Sequence, residues 1–262
     1  MYQEERLAAI LQYLQKHQRI SVQEVVEKFG VSRDTARRDI VKLEESGEIL
    51  RTRGGAILPK LNKKSYSYQE RMQLDVTGKR SIAQAAARLI KKGDYLLLDA
   101  STTVQMAVES VHTSELVIIT NSLGTASSMA RKPGVLVKLL GGDVHGEDQC
   151  VHGTRALENL ADYHVDKVLV GACGLTVDGL VSPSEEHGHL IREMMKKADQ
   201  VIILADHSKF GKSMLYRVAS LNRIDIIVTD QEPGEEMAKA LYDNEVEVIV
   251  AAGMATQMVD KG

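Results

Sequence analysis

Tryptophan is absent from this chain of 262 residues, and phenylalanine occurs only twice. With an apolar share of 44%, a core of ordinary size is still expected, but it must be aliphatic. Cysteine is equally scarce, with only Cys150 and Cys173. Two thiols, no signal-peptide pattern and no long apolar run argue against a disulfide-stapled secreted protein or a membrane protein. They indicate a cytosolic chain with reduced thiols. No internal repeat or low-complexity tract appears. An excess of positive charge is also missing: the net charge of −3 argues against a bulk nucleic-acid binder. Its distribution is uneven. Residues 1–64 hold 13 Lys/Arg against 9 Asp/Glu, a balance of +4, and the rest holds 20 against 27, a balance of −7. A basic head on an acidic body fits a protein that meets DNA through one end.

What is present is concentrated between Ser32 and Ala56. Ser32 is a good N-cap, because its hydroxyl can accept a backbone N–H that the first helical turn leaves unpaired. Ala36, Ile40 and Leu43 then form one apolar stripe of a helix. Arg38 projects almost opposite that stripe, flanked by Asp34, Thr35, Arg37 and Lys42, and Gly47 is placed to end the helix. Gly54-Gly55 between Ile49–Arg53 and Ala56–Leu58 predicts a hairpin with Arg51 and Arg53 beside its tip. Upstream, Leu7, Ile10, Leu11 and Leu14 make a helical stripe. Val22, Val25, Val26 and Phe29 make another, after a Ser21…Glu24 capping box. The order helix, helix, turn, helix, hairpin is that of a winged helix-turn-helix, whose second motif helix enters the major groove. Candidate DNA contacts are Ser32, Arg33, Thr35, Arg37, Arg38, Lys42, Arg51 and Arg53. Asp34, Asp39, Glu44 and Glu45 on the same helix leave open a protein-interaction module with a solvated charged face.

The run RLAAILQYL from Arg6, the segment SRDTARRDI from Ser32 and the RxxGGA wing resemble the DeoR family of bacterial transcription regulators. The resemblance implies a metabolite-responsive regulator, usually a repressor of a sugar-catabolic operon, with a larger effector domain to follow. In the family an arginine and a lysine, here Arg71 and Lys79, lie just before that domain.

The expected organisation is a DNA-binding domain over 1–58, a polar linker over 59–80 with a short helix near 68–74, and an α/β domain over 81–262. In the last, the apolar runs at 95–99, 116–120, 135–140, 167–172, 201–206, 225–230 and 246–251 alternate with helices, among them 154–161, 185–198 and 234–243. That pattern predicts a Rossmann-like, mainly parallel sheet covered on both faces, with ligands beyond the carboxyl ends of its strands. Polar or small residues gather at five such ends. They are Asp99 with Ser101, Thr102 and Thr103; Asn121 with Ser122; Gly141-Gly142; Gly171–Gly174; and Asp206–Gly211 with Lys209. Each alone is ordinary capping chemistry. Together they point to one anion-binding pocket.

The resemblance extends to this domain and implies a fold similar to ribose-5-phosphate isomerases and CoA-transferases. It also implies a sugar phosphate cradled by Ser101, Thr102 and Thr103, with Asp99, Asn121, Glu185 or Glu186, and Lys209 around it. Where those isomerases carry carboxylates, this chain reads Gly171-Ala172-Cys173-Gly174-Leu175. Without a general base, isomerisation is disfavoured against sensing, although an isomerase with an appended DNA-binding head stays as the rival. His145, Cys150 and His152 lie close together, and His187 and His189 flank Gly188. Their spacing matches no zinc pattern, so no metal, cofactor or catalytic residue is expected, and these rings are assigned to ligand hydroxyls or the surface. Met194-Met195 reads as core or dimer packing. The expected partners are double-stranded operator DNA, a phosphorylated sugar and further copies of the chain, since one winged helix buries too little surface to specify an operator.

Overall fold

A computed structural model of the chain describes residues 2–58 and 66–251. It divides into two compact units between Ser65 and Tyr66. The first contains α1 (Gln3–His17), β1 (Arg19–Ser21), α2 (Val22–Phe29), α3 (Arg33–Glu45), β2 (Leu50–Thr52) and β3 (Gly55–Ile57). The predicted stripes make its core: Ile10, Leu14, Val25, Ala36, Ile40 and Leu43 are all buried. Ser21 and Glu24 form the expected reciprocal cap, each side chain accepting the other's backbone N–H. The hydroxyl of Ser32 accepts the N–H of Thr35 and opens α3. Gly47, at φ +74°, closes it: Gly47 N–H donates to Glu44 and Glu48 N–H to Leu43, a Schellman arrangement.

Two details differ from the sequence reading. The hairpin turns at Arg53-Gly54, because Gly55 already pairs with Thr52 inside β3. Gly55 is needed there for another reason: a Cβ on it would lie 2.1 Å from the carbonyl oxygen of Ile20. That contact exists because β1 pairs with β3, giving a sheet of order β1-β3-β2. β1 is too short to announce itself by alternation.

The second unit begins with α4 (Tyr68–Gln73) and α5 (Val76–Ala87), so residues 66–80, expected as linker, are folded. Buried Lys79, Ile82, Ala83 and Ala86 hold α5 against the unit. The linker expectation for 59–65 falls outside the described residues. There follow β4 (Tyr95–Leu98), α6 (Thr102–Glu109), β5 (Leu116–Thr120), α7 (Leu123–Met129), β6 (Val135–Leu139), β7 (Asp143–His145), β8 (Cys150–His152), α8 (Thr154–Ala161) and β9 (Val165–Gly171). Then come β10 (Gly174–Thr176), β11 (Gly179–Ser182), α9 (Glu185–Met195), β12 (Ala198–Leu204), β13 (Tyr216–Ala219), β14 (Ile226–Thr229), α10 (Glu235–Asp243) and β15 (Glu247–Val250).

Seven strands form one sheet, β15-β14-β12-β9-β4-β5-β6, paired in parallel throughout. Alternate side chains enter different cores. Leu97, Val168, Val170 and Ile203 pack on one face, and Leu96, Leu98, Leu169, Ile202 and Leu204 on the other. Burial on both faces is why these strands read as continuous apolar runs. Met194 and Met195 are buried in the first of these cores. Two antiparallel additions were not foreseen: the hairpin β7–β8 and the sheet β10-β11-β13. Their strands have three or four residues, below the length at which a period is readable.

Candidate functional site

The basic surface of the first unit is α3 with the tip of the wing. Arg33, Arg37, Arg38 and Lys42 are exposed on α3, Arg38 almost opposite its buried stripe, and Arg51 and Arg53 are exposed on the hairpin. Ser32 and Thr35 sit at the helix start with their hydroxyls 2.9 Å apart. Lys42 donates to the side chain of Gln3 at 2.7 Å, and Arg51 lies 3.4 Å from Glu44. Arg33, Arg37, Arg38 and Arg53 have no ion-pair partner among the described residues, so their charges face solvent. Exposed guanidinium groups on one helix face and a hairpin tip suit phosphate oxygens and base edges.

Asp39 departs from the solvated face on which the sequence allowed it. It is fully buried, and its carboxylate accepts from Arg6 at 2.6 and 3.2 Å and from Gln3 at 3.0 Å. The hydrogen bond to Asp39 holds the Arg6 guanidinium above its ordinary pKa. This pair bolts the start of α1 to the middle of α3 and so fixes the pose of the basic face. Its sequence signal is position: Asp39 borders the arc of Ala36, Ile40 and Leu43, where a buried carboxylate without a partner would be untenable.

In the second unit the parallel register brings the predicted polar ends to one edge. Leu98 pairs with Thr120 and with Leu169, and Leu204 with Gly171, so Asp99, Asn121, Ala172 and Ala205 follow at neighbouring strand ends. Asp99 is buried, and its carboxylate accepts from the N–H of Gly171 at 3.4 Å and lies 3.3 Å from Nε2 of His187. Burial works against a charged His187 ring, but the hydrogen bond and charge of Asp99 outweigh it and raise its pKa. Ser101 caps α6, with Thr102 and Thr103 buried in the first turn. Gly171 makes room for Ser101, whose Oγ would lie 1.9 Å from a Cβ there.

Asn121 and Ser122 are completely buried at the end of β5, where β8 crosses them: Val151 N–H donates to the Asn121 carbonyl. Neither side-chain polar atom of Asn121 has a partner, nor does the hydroxyl of Thr125 one turn on. Buried amides are almost always paired, so this one asks for a ligand or water.

The cations at this edge are more numerous than the sequence reading assigned. Lys209 lies 3.6 Å from Asp206. Lys79, which is buried, donates to the carbonyl of Arg71. Burial first, and then the charge of Lys209, hold Lys79 below its usual pKa. Burial would raise Asp206, but Lys209 and the Ser208 hydrogen bonds hold it below 3.8. Arg71 pairs with Asp148 at 3.0 Å on the β7–β8 turn. Arg71 and Lys79 were visible only as part of the family pattern. What was missing was that the chain after residue 65 folds back onto this edge.

Other expected residues are placed differently. The Glu186 carboxylate lies 2.8 Å from Nδ1 of His152, from which it can accept, while Glu185 is exposed beside it. The glycines expected to admit a ligand are instead explained by protein contacts. A Cβ on Gly142 would lie 2.5 Å from the His152 carbonyl, and one on Gly174 the same distance from that of Lys212. Gly141 gives its N–H to Asn159. His145 lies 3.3 Å from Asp148, and His189 is half-buried on α9. Burial pushes the Cys150 thiol up to about 12 and raises that of Cys173, so both are protonated at neutral pH. Among the described residues, no helix is long and apolar enough to cross a membrane.

Comparison with known proteins covers both units. Residues 6–61 match the DeoR-like helix-turn-helix domain, and residues 74–231 match the DeoR C-terminal sensor domain. The chain is 45% identical over 250 residues to the HTH-type transcriptional repressor GlcR of Bacillus subtilis, covering 95% of this chain and 97% of that one. It is 28% identical to the glycerol-3-phosphate regulon repressor of Escherichia coli K12, covering 95% and 99%. Against a putative aga operon transcriptional repressor of Escherichia coli O157:H7 the identity is 30%, with 94% and 93% covered. Ribose 5-phosphate isomerase A from Neisseria gonorrhoeae aligns at 13% identity and a TM-score of 0.36 over 51% of this chain and 53% of that one, too distant to carry an argument.

Proposed function

The chain belongs to the DeoR family of bacterial transcription regulators, and from that premise we propose that it represses a sugar-utilisation operon in the cytosol and releases its operator in response to a phosphorylated sugar. The first unit reads double-stranded DNA through α3, with Arg37 and Arg38 at base edges or phosphates and Arg51 and Arg53 positioning the wing. A homodimer or homotetramer supplies the paired half-sites that one winged helix cannot cover. The relatives are named as repressors rather than enzymes. The strand end after β9 offers two glycines, an alanine and a protonated thiol in place of a general base.

The observation that carries the effector site is Asn121, a fully buried amide with neither atom paired. A sugar hydroxyl donates to its Oδ1 and accepts from its Nδ2. The phosphate then meets the start of α6, whose first-turn N–H groups and threonine hydroxyls are donors. Lys209, with Asp206 beside it, and Lys79, which feels the charge of Lys209, supply the positive charge.

The signal leaves through α4 in this account. Tyr68 N–H donates to Glu147 at 2.9 Å, Arg71 pairs with Asp148, and the Tyr68 hydroxyl donates to Gln105 on α6. Ligand at the start of α6 and near Arg71 acts on all three contacts, and α4 is the first element after the residues that lead from the DNA-binding unit. An effector changes DNA affinity only through its different affinity for the two states. The test is a melting screen of the whole protein with sugars and their phosphates, followed by a gel shift on DNA upstream of its own operon. A phosphorylated sugar should raise the melting temperature and release the DNA. Stabilisation by free sugars alone, or by neither class, would reject the reading.

A further inference from the structure

We infer that the sensing unit holds a second anion site at the opposite edge of its main sheet, fitted to a small anion with two linked phosphate groups. A cavity of about 360 Å³ is lined by Arg192, Lys196, Arg217 and Arg223, with Ser220 and Met195 between them. Its position separates it from the effector site. α9 starts beside Asp99, where His187 contacts it, and runs back so that Lys196 precedes the first residue of β12. Lys196 follows His187 by nine positions at the end of the helix, roughly 13 Å at 1.5 Å per residue. Arg223 likewise lies just before β14 begins.

The unit as a whole is acidic, yet this concavity gathers four cations. Lys196 pairs with Glu193 at 2.6 Å. Arg192 is already fixed: its guanidinium donates to the carbonyls of Val218 and Arg217 and stands 4.8 Å from the Tyr216 ring. It therefore contributes field and shape. Arg217 and Arg223 are exposed and have no ion-pair partner among the described residues, which leaves two guanidinium forks for a ligand. Protein surfaces ordinarily intersperse charges of both signs, so two unpaired guanidinium groups beside two engaged cations mark a place that attracts a counter-charge. Guanidinium forks match phosphate oxygens two at a time, and a volume near the low end of the roughly 300–1,000 Å³ range of ligand pockets suits a small molecule rather than a duplex.

The test uses the full chain carrying Lys209→Ala, which weakens the other anion site, and pyrophosphate as the probe, with ionic strength matched by sodium chloride. Calorimetry and thermal melting should both show pyrophosphate binding. Adding Arg217→Gln and Arg223→Gln should weaken it about tenfold or more, as expected for loss of charged hydrogen-bond donors. Each exposed arginine is also replaced singly, and a melting temperature equal to the parent's without anion shows that folding is intact. Binding equal to the chloride control, or unchanged in the arginine variants, overturns the proposal. So does a loss confined to duplex DNA, which would assign these arginines to nucleic acid.

Discussion

The two units carry their charges in opposite ways. On α3 and the wing the arginines stand in solvent with few partners, whereas at the edge of the sensing sheet nearly every charge is buried or engaged. Arg71 faces Asp148, Lys209 faces Asp206, and His187 faces Asp99. The difference follows from the ligands each surface suits. Duplex DNA brings a dense row of phosphates and releases counterions, so an open cationic face needs no internal partner. A small anion must compete with partners already in place, and in doing so it moves them. In the proposed function the first surface serves affinity and the second response.

The buried pair of Arg6 and Asp39 in the DNA-binding unit gives the largest expected effect. Asp39→Ala removes the buried carboxylate and strands Arg6. It should destabilise that unit by about 3–5 kcal/mol, the usual consequence of leaving one member of a buried pair. Denaturant unfolding followed by circular dichroism checks this. A loss below 1 kcal/mol would mean that Arg6 finds water and that the pair does not hold α1 to α3.

Next come the charges of the pocket. Thr103→Val and Lys209→Ala each remove one partner of the phosphate, and effector affinity should fall by about 1.5–3 kcal/mol, tenfold or more. Calorimetry with the effector from the melting screen measures it. Affinity unchanged in both would move the ligand elsewhere.

On the open face the effects are smaller and differ in kind. Arg38→Ala should cost about 1–3 kcal/mol on the best operator, relaxing discrimination if Arg38 meets a base, or lowering all affinities if it meets phosphate. Replacing Arg51 and Arg53 together should weaken binding to every sequence and flatten its salt dependence. A loss confined to one base position would show instead that the wing reads sequence.

The smallest effect is a pH dependence of stability. Asp99 holds the His187 ring above its ordinary value of 6.5. The pair therefore adds stability that is complete below that value and is lost as pH rises through the raised one. Asp206 has the opposite sign: its contribution is present above 3.8 and is lost as pH falls. His187→Gln should flatten the melting profile above pH 6.5 and leave the acid limb intact. An unchanged upper limb would show that the Asp99 contact adds nothing.

Much of this was legible beforehand, for physical reasons. The strand at 116–120 and the helix at 154–161 were read to the residue, because apolar runs and periods of 3.6 report burial directly. Cap residues such as Ser32 and Gly47 act locally, so they too are readable. What escaped depends on distant partners. In sequence Gly142 and Gly174 fall among the candidate pocket residues, but a Cβ on either would meet a carbonyl, of His152 or of Lys212. Asp39 looked solvated until α1 supplied Arg6. Arg71 and Lys79 looked like linker until the chain folded back over the strand ends.

The most direct test of the central claim joins the two surfaces in one titration. The parent protein and Lys209→Ala are each bound to fluorescent operator DNA, and effector is added while anisotropy is followed. Both should bind the DNA equally before addition. The parent should then be released at effector concentrations at which Lys209→Ala stays bound, with at least about a tenfold shift in the midpoint. Release of both proteins at the same concentration would contradict control of the open basic face by an anion held at Lys209.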